Sequence, residues 1–203
     1  ADVVFLAVKP QFLEGVLDEI RDSVKAGQIF ISIAPGKTLQ WLGERLGENT
    51  KVIRTMPNTP AMVGEGMTAL CVNELVTEEE IALAVKLCDT FGKTEVIPEH
   101  LMDAVVGVSG SSPAYVFMFL EAMADAAVAD GMPRAQAYKF AAQSVLGSAK
   151  LMLETGKHPG ELKDMVCSPA GTTIQAVRVL EEKGFRSAVI EAQTECVKKA
   201  KGM

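Results

Sequence analysis

Apolar positions along the chain follow two rhythms, and the change falls near residue 98. Before it, the unbroken apolar run at 3–8 and the mainly apolar segment 28–34 have the pattern of strands buried on both faces of a sheet, and 51–54 reads as a third strand. Between the first two, Phe12, Leu13, Val16, Leu17, Ile20 and Val24 recur at helical spacing, and Gly27 stands where a C-cap glycine closes a helix. Pro35-Gly36 stops the second run, and Thr38 is a suitable N-cap for a helix over 39–46. A fourth strand is predicted over 67–72. Thr77 and Glu80 then form a capping box for a helix over 78–91, Gly92 ends it, and 94–97 gives a short last strand. Strand, helix, strand with short connections is the βαβ grammar of a doubly wound parallel sheet, so this half is read as α/β.

From residue 99 strand signals vanish. After an opening segment at 101–108, helices are predicted over 114–129 (opened by Pro113), 134–155, a short segment ending at Cys167, a segment from Thr172, and 185–201. The 114–129 pattern is apolar on nearly every side except at Glu121 and Asp125. A helix of that kind needs burial all round, which about 100 residues cannot easily supply alone. It is therefore expected to pack against a second copy of the chain, the alternative being a central helix wrapped by its own neighbours.

Composition narrows the partners. The 203 residues are 48% hydrophobic and 23% charged, with a formal net charge of −6, which argues against nucleic acid or an anionic membrane. Cys71, Cys88, Cys167 and Cys196 lie far apart with no CxxC pair, as reduced thiols of a cytoplasmic protein would. Two histidines, His100 and His158, do not suggest a metal site. The segment 114–129 is too short and too charged to span a bilayer, and no signal peptide is visible. The chain opens in mid-strand without methionine, so an N-terminal piece is expected to be missing.

Ligands of doubly wound sheets sit beyond the carboxyl ends of the strands. Those ends carry Ala7-Val8-Lys9-Pro10, Ile33-Ala34-Pro35-Gly36 and Met56-Pro57-Asn58-Thr59-Pro60, all small-residue or proline turns open to a ring or a phosphate. In the second half, Ser168-Pro169 interrupts a helical pattern and Ala170-Gly171-Thr172-Thr173 leads into another, with Ile174, Val177 and Leu180 on one face. Unpaired N–H groups at such a helix start attract carboxylates or phosphates. Taken alone, an ordinary helix–turn–helix with a hydroxyl N-cap is the favoured reading. Cys167 reads as a small buried filler, His158 as a turn residue and Trp41 as a packing residue.

Taken in order, AVKP at 7–10, SIAPG at 32–36, MPNTP at 56–60, GVSGSSPAYVF at 107–117, HPGELKDMVCSPAGTT at 158–173 and GFRSAVIEA at 184–192 resemble the pyrroline-5-carboxylate reductases over essentially the whole chain. The resemblance implies an incomplete Rossmann-type dinucleotide-binding domain over 1–98 and an all-α dimerisation and substrate-binding domain over 99–203. It implies reduction of Δ1-pyrroline-5-carboxylate to L-proline with NADPH or NADH, in a homodimer assembled further into a decamer of five dimers. By the same resemblance Ser168, Gly171, Thr172 and Thr173 hold the substrate carboxylate, and Thr173 stands nearest the imine nitrogen. Glu99 matches a position that can meet the ring nitrogen, though it also fits a surface charge before a helix. Ala7, Val8, Lys9, Pro10, Ala34, Pro35, Gly36, Met56, Pro57 and Asn58 match the loops around the nicotinamide half.

Three departures stand out. The glycine-rich turn that holds the pyrophosphate in the family is not in these residues, so the chain as given is expected to bind dinucleotide poorly and turn over little. Ala170 stands where the family has glycine, and would be strained at positive φ. Pro35 stands where the family has alanine, and removes a backbone donor. Other readings are a Rossmann reductase of the 3-hydroxyacid dehydrogenase type, disfavoured because 101–138 holds no lysine, and an inactive oligomerisation module.

Overall fold

The computed structural model describes residues 1–202. By backbone contacts it divides into two compact units, Ala1–Pro113 with Gln193–Met203, and Ala114–Ala192.

In the first unit, strands β1 (Val3–Leu6), β2 (Ile29–Ser32), β3 (Lys51–Met56), β4 (Gly66–Val72) and β5 (Gly92–Val96) form one sheet in sequence order. Helices α1 (Pro10–Ile20), α2 (Leu39–Leu46) and α3 (Glu78–Cys88) connect β1 to β2, β2 to β3 and β4 to β5, and those three pairs are parallel. β4 runs antiparallel to β3, pairing Ile53 with Val72 and Met56 with Ala69, so the sheet is mixed and not the all-parallel one expected. Only a 3₁₀ turn, Thr59–Val63, lies in the 57–65 connection, and a parallel return needs a longer crossover.

Period-two alternation splits the strand side chains between two faces. Leu6, Phe30 and Val52 pack with Leu13, Leu17, Leu42 and Leu46 of α1 and α2. Ile29, Ile31, Ile53 and Leu70 pack with Ala84 of α3. Each such Leu or Ile contributes about 1.5–3 kcal/mol by leaving water. β1 lies at one end of the sheet, with Phe5 45% exposed. Thr38 accepts from the Trp41 N–H at 3.0 Å, and the Thr77–Glu80 capping box is present on both sides. Gly27 (φ 83) is not a helix cap: α1 ends at Ile20, a 3₁₀ turn covers Arg21–Ser23, and Val24 is already extended. Gly92 is required where β5 begins, because a Cβ there would lie 1.9 Å from the Gly66 carbonyl oxygen.

Beyond β5 come α4 (Met102–Val105), a single π turn (Val106–Gly110) and α5 (Ser112–Ala129). The remaining helices are α6 (Arg134–Thr155), α7 (Pro159–Val166), α8 (Thr172–Glu182) and α9 (Phe185–Lys201). The helical unit has little core of its own. Within α5 only Ala124 is buried in the second unit, while Phe117 is 63% and Met118 70% exposed. The chain's own neighbours therefore do not wrap α5. The continuous helical stretch Glu99–Ala129 is by length and composition alone long enough and apolar enough to cross a bilayer, which 114–129 by itself was not expected to be.

Candidate active site

In the first unit the predicted loops lie at the carboxyl ends of β1, β2 and β3. Lys9 is the N-cap of α1 and exposed, with Pro10 in the first turn. Ala7 is exposed and Val8 half-buried, the latter packed on the core. Ala34 has its side chain 2% exposed within the core, and its N–H donates to Ser32 Oγ at 3.3 Å, which leaves its backbone carbonyl as the group it can offer a ligand. Pro35 follows, and Gly36 takes φ 73, a conformation that suits glycine.

Pro57, Asn58, Thr59, Ala61 and Met62 line a largely apolar cavity of about 620 Å³ with Phe5, Ile33, Phe91 and Gly110. Asn58 is committed at both ends of its amide. Its Oδ1 accepts from the Met67 N–H at 2.8 Å, and its Nδ2 donates to the Ser109 carbonyl at 3.1 Å. Gly36 lies on a second cavity, about 360 Å³, with Thr38, Arg54, Glu99, His100 and Asp103.

Glu99 is more than a surface charge. Its Oε1 accepts from the Leu39 N–H at 2.7 Å, at the first turn of α2, and from Arg54 Nη1 at 3.0 Å. Arg54 is almost wholly buried, its side chain 8% exposed, at the carboxyl end of β3. Opposite it in register is Cys71. Burial pushes that thiol up to about 12, with the Glu99 charge adding and Arg54 partly offsetting. Sequence reasoning missed Arg54 and Ser109. The available signals were a charge ending an apolar strand, and a serine four residues before a proline.

In the second unit, α7 opens with His158, whose Nδ1 accepts from the Gly160 N–H at 3.1 Å. Cys167 follows α7 and is half-buried, less enclosed than a core filler. The next four residues make a turn closed by Gly171 N–H donating to the Ser168 carbonyl at 3.0 Å. Pro169 occupies its second position and Ala170 its third, at φ 56, the one positive-φ residue other than glycine among the described residues. Proline followed by a left-handed residue is the type II pattern, which favours glycine third. Gly171 is the N-cap of α8 and has no side chain to cap it, so the first-turn amides of α8 stay open. A Cβ on Gly171 would stand 2.3 Å from Ser168 Oγ. Ser168 and Thr172 are exposed and Thr173 half-buried, so the structure gathers all four predicted carboxylate contacts on this one turn.

The mixed sheet with loops over an apolar groove, and a helical unit bearing an open helix start, define an oxidoreductase of Rossmann type with a separate helical region. Residues 99–203 match the family described as pyrroline-5-carboxylate reductase dimerisation, and residues 1–36 match NADP oxidoreductase, coenzyme F420-dependent. The chain belongs to the pyrroline-5-carboxylate reductase family. It is 62% identical over 200 residues to the pyrroline-5-carboxylate reductase of Escherichia coli (strain K12), covering 98% of this chain and 74% of that protein. It is 48% identical over 192 residues to that of Methanosarcina acetivorans, covering 95% and 71%. Among solved structures, the Coxiella burnetii reductase superposes with a TM-score of 0.94 at 37% identity, covering 100% of this chain and 76% of that one. The Plasmodium falciparum enzyme with NADP bound gives 0.92 at 31%, covering 100% and 77%.

Proposed function

We propose that the protein catalyses the NAD(P)H-dependent reduction of Δ1-pyrroline-5-carboxylate to L-proline, the last step of proline synthesis. The observation that carries this reading is the Ser168–Gly171 turn: the start of α8 is left uncapped by a glycine, and the Ser168 hydroxyl fills the space a side chain there would take. In this reading the open amides of α8, with the hydroxyls of Ser168 and Thr172, hold the substrate carboxylate by fixed neutral donors. Thr173 orients the imine nitrogen. A threonine hydroxyl is a weak acid, so its part is to place a water that delivers the proton. Glu99 has both its protein hydrogen bonds on Oε1, and Oε2 is the atom assigned to the ring nitrogen.

NADPH or NADH, when bound, supplies the hydride. The residues present suit its nicotinamide half. The groove beside Pro57 and Asn58 is largely apolar, with Phe5, Ile33, Met62 and Phe91 in its walls, and Gly36 lets backbone approach closely. Lys9, Pro10, Ala34, Pro35, Gly36, Met56, Pro57 and Asn58, with Ala7 and Val8, are assigned to hold it, Ala34 by backbone alone.

The functional boundary is placed at 98/99, supported by the family match that begins at residue 99. The exposed apolar helices and that dimerisation match support a homodimer. We assign the protein to the cytoplasm, with a decamer of five dimers as its larger assembly and neither nucleic acid nor membrane as a partner. The test is proline formation from pyrroline-5-carboxylate and NADPH in a chain that carries the glycine-rich turn, comparing Thr173→Val and Ser168→Ala with the same chain unaltered. Each is expected to lower kcat/KM by roughly 10- to 1000-fold, the range for losing one positioned hydrogen-bonding group. Two variants as active as the parent would refute the assignment.

A further inference from the structure

A helical carbonyl bonds to the N–H four residues on. For Ser109 that residue is Pro113, which has no N–H. The backbone here is already irregular, since Val106–Gly110 winds as a π turn with the Ser111 N–H on the Val106 carbonyl at 2.8 Å. Ser109 is only 8% exposed, so solvent is a poor substitute partner. The donor comes from 51 residues away: Asn58 Nδ2, at 3.1 Å. The other end of the same amide takes the Met67 N–H where β4 begins. The π turn is gripped on two sides. A Cβ on Gly110 would lie 2.7 Å from Met56 Cε, and one on Gly107 would lie 2.8 Å from Gln193 Cγ of α9.

We propose that Asn58 is a positioning residue: because Pro113 leaves the Ser109 carbonyl without a helical donor, the Asn58 amide pins loop 57–59 to the π turn and so fixes one wall of the cofactor groove. The inference rests on the functional reading above and deepens it. A loop fixed in this way presents the groove already formed, so its loss appears mainly in cofactor KM. The sequence places the two halves of the device far apart. Neither half alone suggests it: Asn58 looks like a ligand contact and Pro113 like a helix opener.

The test is a double-mutant cycle on proline formation, with Asn58→Ala, Pro113→Ala and both together. Pro113→Ala gives Ser109 an N–H within its own helix and makes the Asn58 donor redundant. Asn58→Ala alone is expected to raise NADPH KM about tenfold with kcat within about threefold, and in the Pro113→Ala background to raise KM no more than about threefold. The remainder reflects the Met67 bond. A residue that merely touched the cofactor would change KM by the same factor in both backgrounds, and that result overturns the proposal while leaving the function in place. If Asn58→Ala does not accumulate as folded protein, its recovery by Pro113→Ala is the same rescue, and failure to recover counts against it. An unaltered chain that carries the glycine-rich turn and still forms no proline overturns the function and this inference together.

Discussion

The hydroxyl of Ser168 occupies the space in which a side chain on Gly171 would have to lie, 2.3 Å from where its Cβ would stand. Turn closure and ligand presentation therefore depend on one contact. Gly171→Ala is expected to push Ser168 aside, break the Gly171–Ser168 hydrogen bond and reduce kcat/KM for pyrroline-5-carboxylate by about 100-fold, as misplacing a binding group does. Loss of activity with far-ultraviolet circular dichroism unchanged is the expected pattern. An alanine variant with wild-type kcat/KM would show that the turn tolerates a side chain.

Next to it, Ala170 at φ 56 occupies a conformation that costs an L-residue roughly 1–2 kcal/mol. Ala170→Gly removes that strain but adds about 0.4–1 kcal/mol of unfolded-state entropy. The expected balance is a gain of a few tenths to about 1 kcal/mol, read as a raised denaturant midpoint at unchanged m-value. A lowered midpoint would mean the turn relaxes around alanine without strain.

Arg54 and Glu99 form a pair in which one partner is buried and the other about one-third exposed. Removing Glu99 leaves a buried guanidinium short of its carboxylate and takes a hydrogen-bond acceptor from the start of α2. Glu99→Ala is expected to destabilise by about 2–3 kcal/mol, below the range for a fully buried pair because solvent screens the Glu99 side. Arg54→Met with Glu99→Ala together should recover part of that loss, since the uncompensated charge is gone. Urea denaturation of the two single variants and the double supplies the comparison; a strictly additive double would contradict it.

The Cys71 thiol lies in register with Arg54, and its pKa is pushed from 9.0 to about 12 by burial, with Glu99 adding. The unfolded chain loses this proton near its ordinary value while the folded protein keeps it. The associated stability is therefore intact below about pH 9 and lost as pH rises toward about 12. Replacing Cys71 with valine should flatten the alkaline fall in stability across that window. Slow alkylation of Cys71 by iodoacetamide at pH 8 is the companion outcome. Identical alkaline profiles for the two proteins would exclude the thiol as a contributor.

Local chemistry was the part of this fold written plainly in the sequence. Thr38, the Thr77–Glu80 box and the Pro113 opening are decided by neighbours within four residues, and so is the strain expected at Ala170. Strand direction was not legible. The 67–72 run looks the same whichever way it points, and only the short connection through Thr59–Val63 turns β4 antiparallel. In the candidate site, the turn and the helix start proposed for the carboxylate were legible because Ser168 to Thr173 are contiguous. Asn58 with Ser109 and Arg54 with Glu99 were not, being 51 and 45 residues apart.

The last prediction concerns α5. Phe117 and Met118 are 63% and 70% exposed on a helix with two acidic residues, Glu121 and Asp125, and the family match assigns this region to dimerisation. Burying either side chain fully is worth about 1.5–3 kcal/mol, and in a two-fold dimer each counts twice. Met118→Glu would place two carboxylates in that interface, and each ion taken from water without a partner costs several kcal/mol more. The variant is expected to sediment as a monomer at micromolar concentration, with its helical circular dichroism reduced because the exposed helices lose their cover. Restoration of the dimer near pH 4, where the added carboxyl begins to protonate, would tie the defect to the charge. A Met118→Glu protein that remains dimeric at pH 7.5 would place the interface on another face of the helical unit.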